Sequence, residues 1–386
     1  MPFMIAFATK VNFITMLTGT SHEKLQVFHR WSALLMYITS LVHTFPFVEQ
    51  ALRLNEMDVQ WKTNWYWTGV AALVPQTYLV FLSWGFFRNK YYETFKKLHL
   101  AAAAVFMAFL FIHCSFRLSS WDFFAATAAI YFIPWFFRSF RTFYNGLGLP
   151  ASIEVLPDGR SLRLTIETPS RVKWSPGQHA FIRFLGSGIH AFSSHPFTVS
   201  SLTFDGHMEF VFNIHRGVTG KLAKMAEGKA SINMRVMVDG PYGGVPSLES
   251  YDHVYLLAGG TGVTLTLPLL ADLVKGDKNK SIEFVVAVKK RETASWIEEQ
   301  LVLKNSNNLT RRIHITDVAA HAGIPKLTRS DGSEYSSLSE KGVSDEGSET
   351  QIVAGRPNLP SLIGEAHRTR RGRVAIIGMF WPFWST

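Results

Sequence analysis

LQVFHRWSALLMYITSLVHTFPF, residues 25–47, is apolar enough to span a bilayer and yet carries two imidazoles, His29 and His43. They lie fourteen positions apart. On a helix that spacing advances about 21 Å and returns to within about 40° of the same face. Imidazoles inside a membrane segment are costly and mark function. A second stretch, LHLAAAAVFMAFLFIHC at 98–114, repeats the spacing with His99 and His113. Two such helices face to face offer two stacked imidazole pairs at two depths, the donor set that two bis-histidine b-type haems need. A lone histidine in an apolar helix is ordinarily a satisfied core group. Four at one spacing argue for ligands.

Around these two helices the first 140 residues read as a membrane bundle of four full spans and a partial first one. The partial run covers 2–17, broken by Lys10 and Asn12; the full spans lie near 25–48, 65–87, 95–114 and 121–137. Pro75 marks a kink in the second of them. One span between the two histidine helices makes these run parallel, so His29 shares a depth with His99 and His43 with His113. Arg88, Lys90, Lys96 and Lys97 crowd one loop and Arg138 and Arg141 follow the last span, whereas residues 49–62 hold three acids against two bases. The positive-inside rule then puts the basic loops and everything C-terminal in the cytoplasm, with His29 and His99 as the inner pair.

Composition narrows the rest. The chain has 386 residues, 47% of them hydrophobic and 14% aromatic, with the apolar share concentrated in the first third. One cysteine, Cys114, excludes an internal disulfide framework and cysteine-held iron–sulfur clusters. The formal charge of +10 sits near membrane ends and a candidate phosphate surface, and calls for no nucleic acid. No charged, apolar, small-residue leader of the cleavable kind opens the chain.

From residue 152 the pattern changes to short alternating runs with Gly and Pro punctuation: SIEVLPDGRSLRLTIET, PGQHAFIRFLG, HPFTVSS, HMEFVFNIHR and SINMRVMVDGPYGG. These predict an antiparallel barrel over 150–248, interrupted by a helical piece at 220–227. HVYLLAGGTGVTLTLPLLADLV then reads as strand, turn and helix, aiming the backbone N–H groups of Gly259, Gly260, Thr261 and Gly262 at a phosphate. The next strand, IEFVVAVKKRET, ends in Lys289, Lys290 and Arg291, a cluster that suits a 2′-phosphate and is equally a solvated strand end. An α/β nucleotide-binding domain is expected over 250–386. A Ser/Gly/Glu-rich tract at 321–349 is expected to be a disordered insertion in it, before GRPNLPSL and the strand-like RVAIIG.

Taken together these residues resemble the ferric reductase transmembrane family, which is related to the NADPH oxidases. The doubled histidine helices, His195-Pro196-Phe197-Thr198 as the family's HPFT, and Gly259–Gly262 with Val263-Thr264 as its GGxGVT turn carry the match; Pro176-Gly177-Gln178 and Gly240-Pro241-Tyr242-Gly243 support it. The resemblance implies FAD in the barrel, with Phe197 against the isoalloxazine, Thr198 hydrogen-bonded to it, and His195 and Pro196 fixing the strand entry. Arg216 and the N–H groups of Thr219, Gly220 and Lys221 would meet the FAD pyrophosphate. Arg356, within Gly355-Arg356-Pro357, would stand close to NADPH.

By the same resemblance, NADPH would reduce FAD, and electrons would cross two b-type haems to a ferric or cupric chelate outside the cell. The setting would be a lipid bilayer, the plasma membrane, with iron uptake as the purpose. The alternatives are a superoxide-forming NADPH oxidase and an inactive haem-binding membrane protein. Two departures are expected to weaken it. The family carries a further membrane helix before Met1, and a Cys-Gly-Pro after the last strand where this chain has Gly378-Met379-Phe380-Trp381-Pro382. The chain is therefore read as truncated at both ends.

Overall fold

The computed structural model describes residues 1–9, 13–18, 20, 22–117, 119–188, 191, 193–276, 280–302, 308–317, 326–328, 334–338, 350–369 and 372–380. Two compact units divide the chain, Met1–Arg138 and Ser139–Thr386.

The first unit is helical: α1 (Pro2–Ala8), α2 (Phe13–Thr18), α3 (His22–Arg53), α4 (Met57–Gln60), α5 (Asn64–Phe81), α6 (Gly85–Lys90) and α7 (Tyr92–Cys114), with α8 (Ser120–Asn145) continuing into the second unit. Three of these helices are long and apolar enough to cross a membrane, over Lys24–Arg53, Thr94–Cys114 and Ser120–Asn145. They turn large apolar side chains outward: Phe45 is 73% exposed, Val42 68% and Phe136 64%. In water such a surface would be untenable; in lipid it is the expected one.

The span expected at 65–87 is shorter. α5 has 18 residues and stops at Phe81, because Trp84 adopts an extended backbone before Gly85 opens a separate short helix. Asn64, Thr68 and Gln76 also lower its hydropathy, and Thr68 and Gln76 are buried. At 1.5 Å per residue α5 is about 27 Å long. It is an interior helix, packed on α7 and tied to α3 where Thr77 donates to the Tyr37 hydroxyl at 3.1 Å.

The second unit begins with β1 (Leu149–Val155), β2 (Ser161–Glu167), β3 (His179–Phe184), β4 (His195–Thr198), β5 (His207–Asn213), α9 (Val218–Ala226) and β6 (Ile232–Tyr242). The strands pair antiparallel in the order β4-β3-β6-β1-β2-β5. Just past β4 the Ser200 N–H donates to the Glu209 carbonyl at 2.7 Å, nearly closing the sheet on β5. Phe184, Phe210, Leu162, Leu164, Ile166 and Ile182 fill the interior, and Leu222 of α9 plugs one side. Alternating apolar positions along each strand give the barrel its dry side.

β7 (His253–Gly259), α10 (Val263–Lys275), β8 (Ser281–Val288), α11 (Arg291–Val302), β9 (Leu309–Ile315), β10 (Lys326–Thr328), β11 (Glu334–Leu338), β12 (Thr350–Ala354), α12 (Leu359–Thr369) and β13 (Val374–Phe380) follow. The sheet order is β10-β11-β12-β9-β8-β7-β13. The five strands from β12 to β13 run parallel, and β10 and β11 add an antiparallel edge. Leu156 and Val211 of the barrel belong to the same buried cluster as β7, β8 and α10, so the two parts share packing.

The tract at 321–349 needs correction where it is described. Residues 326–328 and 334–338 are two short antiparallel strands that extend the sheet past β12, held by ladder pairing of β11 with β12 and of β10 with β11 rather than by strand propensity. The rest of that tract lies outside the described residues. So do Trp381 and Pro382, while Gly378, Met379 and Phe380 lie within β13.

Candidate functional site

α3 and α7 bring the four membrane histidines together as two pairs. The ring centroids of His29 and His99 are 6.4 Å apart with planes at 65°, and those of His43 and His113 are 6.3 Å apart at 77°. The pairs occur in the same order along both helices, so the helices run parallel. His29 Nδ1 meets the Met4 carbonyl at 3.0 Å, His99 Nδ1 meets Ser83 Oγ at 3.3 Å, and His113 Nδ1 meets the Trp65 carbonyl at 2.6 Å. Among the described residues no three His, Cys, Asp or Glu side chains converge on one point; at each depth two imidazoles face each other.

In the barrel the HPFT run is strand β4. It pairs with β3 so that His195 faces Ile182, Pro196 faces Phe181, Phe197 faces Ala180 and Thr198 faces His179. Phe197 is half-buried and stacked on Phe212 at 4.1 Å, with one ring face covered from inside the barrel. Thr198, on the other face of β4, lies beside His179, whose ring contacts Phe181 and Tyr242. Gln178 joins PGQ to GPYG, its side-chain amide donating to the Gly243 carbonyl at 3.0 Å. Asn145, at the end of α8, and Arg141, one turn earlier, reach the same strand end. Asn145 donates to the Val238 and Gly240 carbonyls; Arg141 donates to the Pro241 carbonyl at 3.0 Å and lies over the Tyr242 ring at 4.8 Å. Neither residue is visible from motif reading.

The Thr219 hydroxyl is not available to a ligand. It donates to the His215 carbonyl at 3.1 Å and accepts the His215 N–H at 2.8 Å, closing the turn that contains Arg216. Gly220 sits where a Cβ would come within 2.6 Å of that carbonyl. Lys221 donates to the Ser187 carbonyl at 3.0 Å. The exposed Arg216 side chain and the start of α9 lie on one turn, and the Lys221 N–H, expected to face a phosphate, donates to the Gly217 carbonyl at 3.0 Å.

At the carboxyl ends of the parallel strands the turns gather as an open α/β sheet dictates. Gly259 ends β7. Gly260 has φ +55 with nothing within 4 Å of an added Cβ, while a Cβ on Gly262 would come within 2.1 Å of the Met379 carbonyl of β13. Gly260 thus leaves an open face, and Gly262 admits the neighbouring strand. Thr264 donates to the Thr261 carbonyl at 2.8 Å and fixes the turn before α10. Lys289 and Arg291 follow β8; Arg291 is paired with Glu298 at 3.6 Å. Gly355, φ +95, ends β12 and carries the exposed Arg356. His314 lies between these on β9, 9% exposed; burial pushes its imidazole below the ordinary range, with Arg312 adding to this and a Gly355 backbone hydrogen bond opposing it.

A helical membrane unit, a near-closed antiparallel barrel and a parallel α/β sheet together give the architecture of a membrane protein with flavin- and nucleotide-binding domains. Family comparison matches each part. The ferric reductase like transmembrane component matches residues 1–110, the FAD-binding domain 148–246 and the ferric reductase NAD binding domain 251–378. The chain belongs to the ferric reductase transmembrane family.

Among curated relatives, "Ferric reductase transmembrane component 3" of Saccharomyces cerevisiae is 30% identical over 348 residues, 88% of this chain and 47% of that protein. "Ferric/cupric reductase transmembrane component 7" of the same yeast is 28% identical over 321 residues, 79% of this chain and 50% of that one. "Ferric/cupric reductase transmembrane component 1" of Candida albicans is 24% identical over 392 residues, 97% of this chain and 51% of the relative. The chain thus spans about half the length of the relatives it matches. A ferredoxin NADP+ reductase from Neisseria gonorrhoeae aligns at 14% identity and TM-score 0.38, covering 59% of this chain and 97% of that one.

Proposed function

We propose that the chain is the electron-transfer body of a ferric-chelate reductase, using cytosolic NADPH, FAD and two b-type haems to reduce a ferric or cupric chelate across the plasma membrane. The observation that carries this reading is the pair of imidazole separations, 6.4 and 6.3 Å between centroids. A metal held between two imidazoles lies roughly 2 Å from each nitrogen and each nitrogen about 1 Å from its ring centre, which requires centroids about 6 Å apart. Both pairs fit. Three of the four rings also keep Nδ1 against an oxygen, which leaves Nε2 as the nitrogen for a metal.

In this reading His29 and His99 hold one haem and His43 and His113 the other. Fourteen residues of helix separate the two pairs by about 21 Å along the axis. Haem iron supplies one-electron carriage, FAD the exchange between a two-electron hydride and single electrons, and NADPH the hydride. The chain's own residues bind and orient. The outer face of β4, with Thr198 beside His179, borders the flavin cleft, and Arg216 with the first turn of α9 meets pyrophosphate. Gly260 lets the nicotinamide nucleotide's phosphates approach backbone N–H groups, and Lys289, Lys290 or Arg356 meets the 2′-phosphate. The basic loops favour the cytoplasm for the second unit. The names of the curated relatives favour a metal chelate over dioxygen as acceptor.

The test is haem stoichiometry. Protein purified from membranes should show a reducible b-type spectrum and bound flavin, and His43→Ala should lose about half the haem while keeping its flavin. Full haem in that variant sinks the ligand assignment. Parallel assays of chelate reduction and superoxide release in the same membranes separate the reductase from the oxidase.

A further inference from the structure

A histidine that binds metal through Nε2 carries its proton on Nδ1, and the acceptor of that proton fixes the ring's rotation and raises its donor strength. The four membrane imidazoles differ in this respect: one helix and the residues just after it supply an acceptor to each of the two on α7, while the two on α3 differ from each other. His113 Nδ1 reaches the Trp65 carbonyl at 2.6 Å and His99 Nδ1 reaches Ser83 Oγ at 3.3 Å. Trp65 belongs to α5, and Ser83 is the second residue after it. Ser83 gives its own proton to the Leu79 carbonyl, so its oxygen is free to accept. A carbonyl and this hydroxyl oxygen leave each ring one tautomer, with the lone pair on Nε2. α5 itself carries no histidine.

Gly69 is what lets His113 reach Trp65. An added Cβ there would come within 2.8 Å of His113 Cε1 and 2.9 Å of Nδ1. Glycine inside a helix is less stable there than alanine, so its presence in α5 calls for a reason. The notch it leaves opens the side of the helix at the carbonyl four residues earlier.

The two pairs are not equal. His29 Nδ1 meets the Met4 carbonyl at 3.0 Å, so the His29–His99 pair has two acceptors. In the other pair only His113 has one among the described residues; His43 instead packs on the Phe47 ring, with centroids 5.1 Å apart and planes at 60°.

Resting on the haem reading above, we propose that α5 positions both α7 ligands through Gly69 and Ser83, and that the two-to-one distribution of Nδ1 acceptors holds the His29–His99 site at the lower reduction potential. An acceptor on Nδ1–H makes the imidazole more electron-donating and favours the oxidised metal. The His29–His99 site is therefore the better donor and the His43–His113 site the better acceptor, a downhill order fixed by three hydrogen bonds.

Single-site proteins test this without ambiguity of assignment. The full chain with His43→Ala keeps only the His29–His99 site, and with His29→Ala only the His43–His113 site; spectrally monitored redox titration reads each alone. The first should titrate at the lower potential. Adding Ser83→Ala to it should raise that potential at unchanged haem content, and Ser83→Thr should restore it. Adding Gly69→Ala to the His29→Ala protein should raise the potential or lower haem occupancy, and should do neither in the His43→Ala protein. Equal potentials in the two single-site proteins, or a Ser83→Ala potential that does not move, overturns the proposal. Absence of haem from the unmutated chain instead overturns the ligand reading on which it rests.

Discussion

Asn145 donates both protons of its buried side-chain amide to one strand end, at 3.0 Å to the Val238 carbonyl and 2.8 Å to the Gly240 carbonyl. Asn145 closes α8 and Gly240 opens the GPYG run, so the residue that ends the last long apolar helix also pins the edge of the flavin-type barrel. Replacing it with Ala strands two buried acceptors. Each buried acceptor left unmet costs about 1–3 kcal/mol. Asn145→Ala should therefore lower the thermal midpoint and the flavin content of the purified protein, and Asn145→Asp should do worse, because a carboxylate would face two carbonyl oxygens. Unchanged flavin content in both would show that the barrel edge holds without this tie.

The two glycines of the nucleotide turn should fail in different ways. A Cβ on Gly262 would lie 2.1 Å from the Met379 carbonyl, a clash of backbone against side chain that no rotamer relieves. Gly262→Ala should destabilise the second unit and lower yield. Gly260, with φ +55 and open space around it, should accept Ala at a cost of about 1–2 kcal/mol in strain. Its loss should appear in nucleotide affinity, as a raised KM for NADPH with little change in the melting curve. If Gly260→Ala leaves KM as it was, phosphates do not approach that face.

How much of this was legible in the sequence depends on whether the signal was periodic or spatial. The histidine pairs were, because helical spacing alone puts residues fourteen apart on one face. The barrel strands were too, since alternation survives in runs such as HMEFVFN. β9, LTRRIHI, carries no such signal: a central parallel strand normally reads as an unbroken apolar run, and here Arg311 is buried at 4% exposure in the middle of it. β12, TQIVA, was hidden beside the Ser/Gly/Glu-rich tract. Gly69 and Asn145 carry no motif; each matters because of an atom brought close by folding.

His314 gives the second unit an acid-sensitive element. Burial holds its imidazole below its ordinary value of 6.5, so the folded chain takes up that proton less readily than the unfolded chain. By linkage the stability from the neutral ring is fully present above about pH 6.5 and is lost as pH falls below it toward the folded value. The denaturant midpoint of the second unit's transition should fall on acidification from pH 7, and His314→Gln should flatten that fall. An equal slope in the variant would assign the acid sensitivity to other groups.

Nucleotide choice supplies the last expectation. Two cationic sources lie at the carboxyl ends of parallel strands: Lys289 with Lys290 after β8, and the exposed Arg356 after β12. Arg291 is partly engaged with Glu298, at 3.6 Å, which leaves the two lysines and Arg356 as the better partners for an added phosphate. A 2′-phosphate gains charge-assisted hydrogen bonds from such groups and an unphosphorylated ribose does not. Wild-type protein should therefore prefer NADPH to NADH in kcat/KM. Arg356→Ala should cut that preference by roughly ten-fold, the loss of one bond to a charged group worth about 1.5 kcal/mol, while leaving NADH turnover and the haem spectrum unchanged. The double replacement of Lys289 and Lys290 by Ala serves as the comparison. If Arg356→Ala lowers turnover with both nucleotides equally, Arg356 acts on the shared part of the molecule; if only the lysine variant changes the ratio, the 2′-phosphate lies over the end of β8.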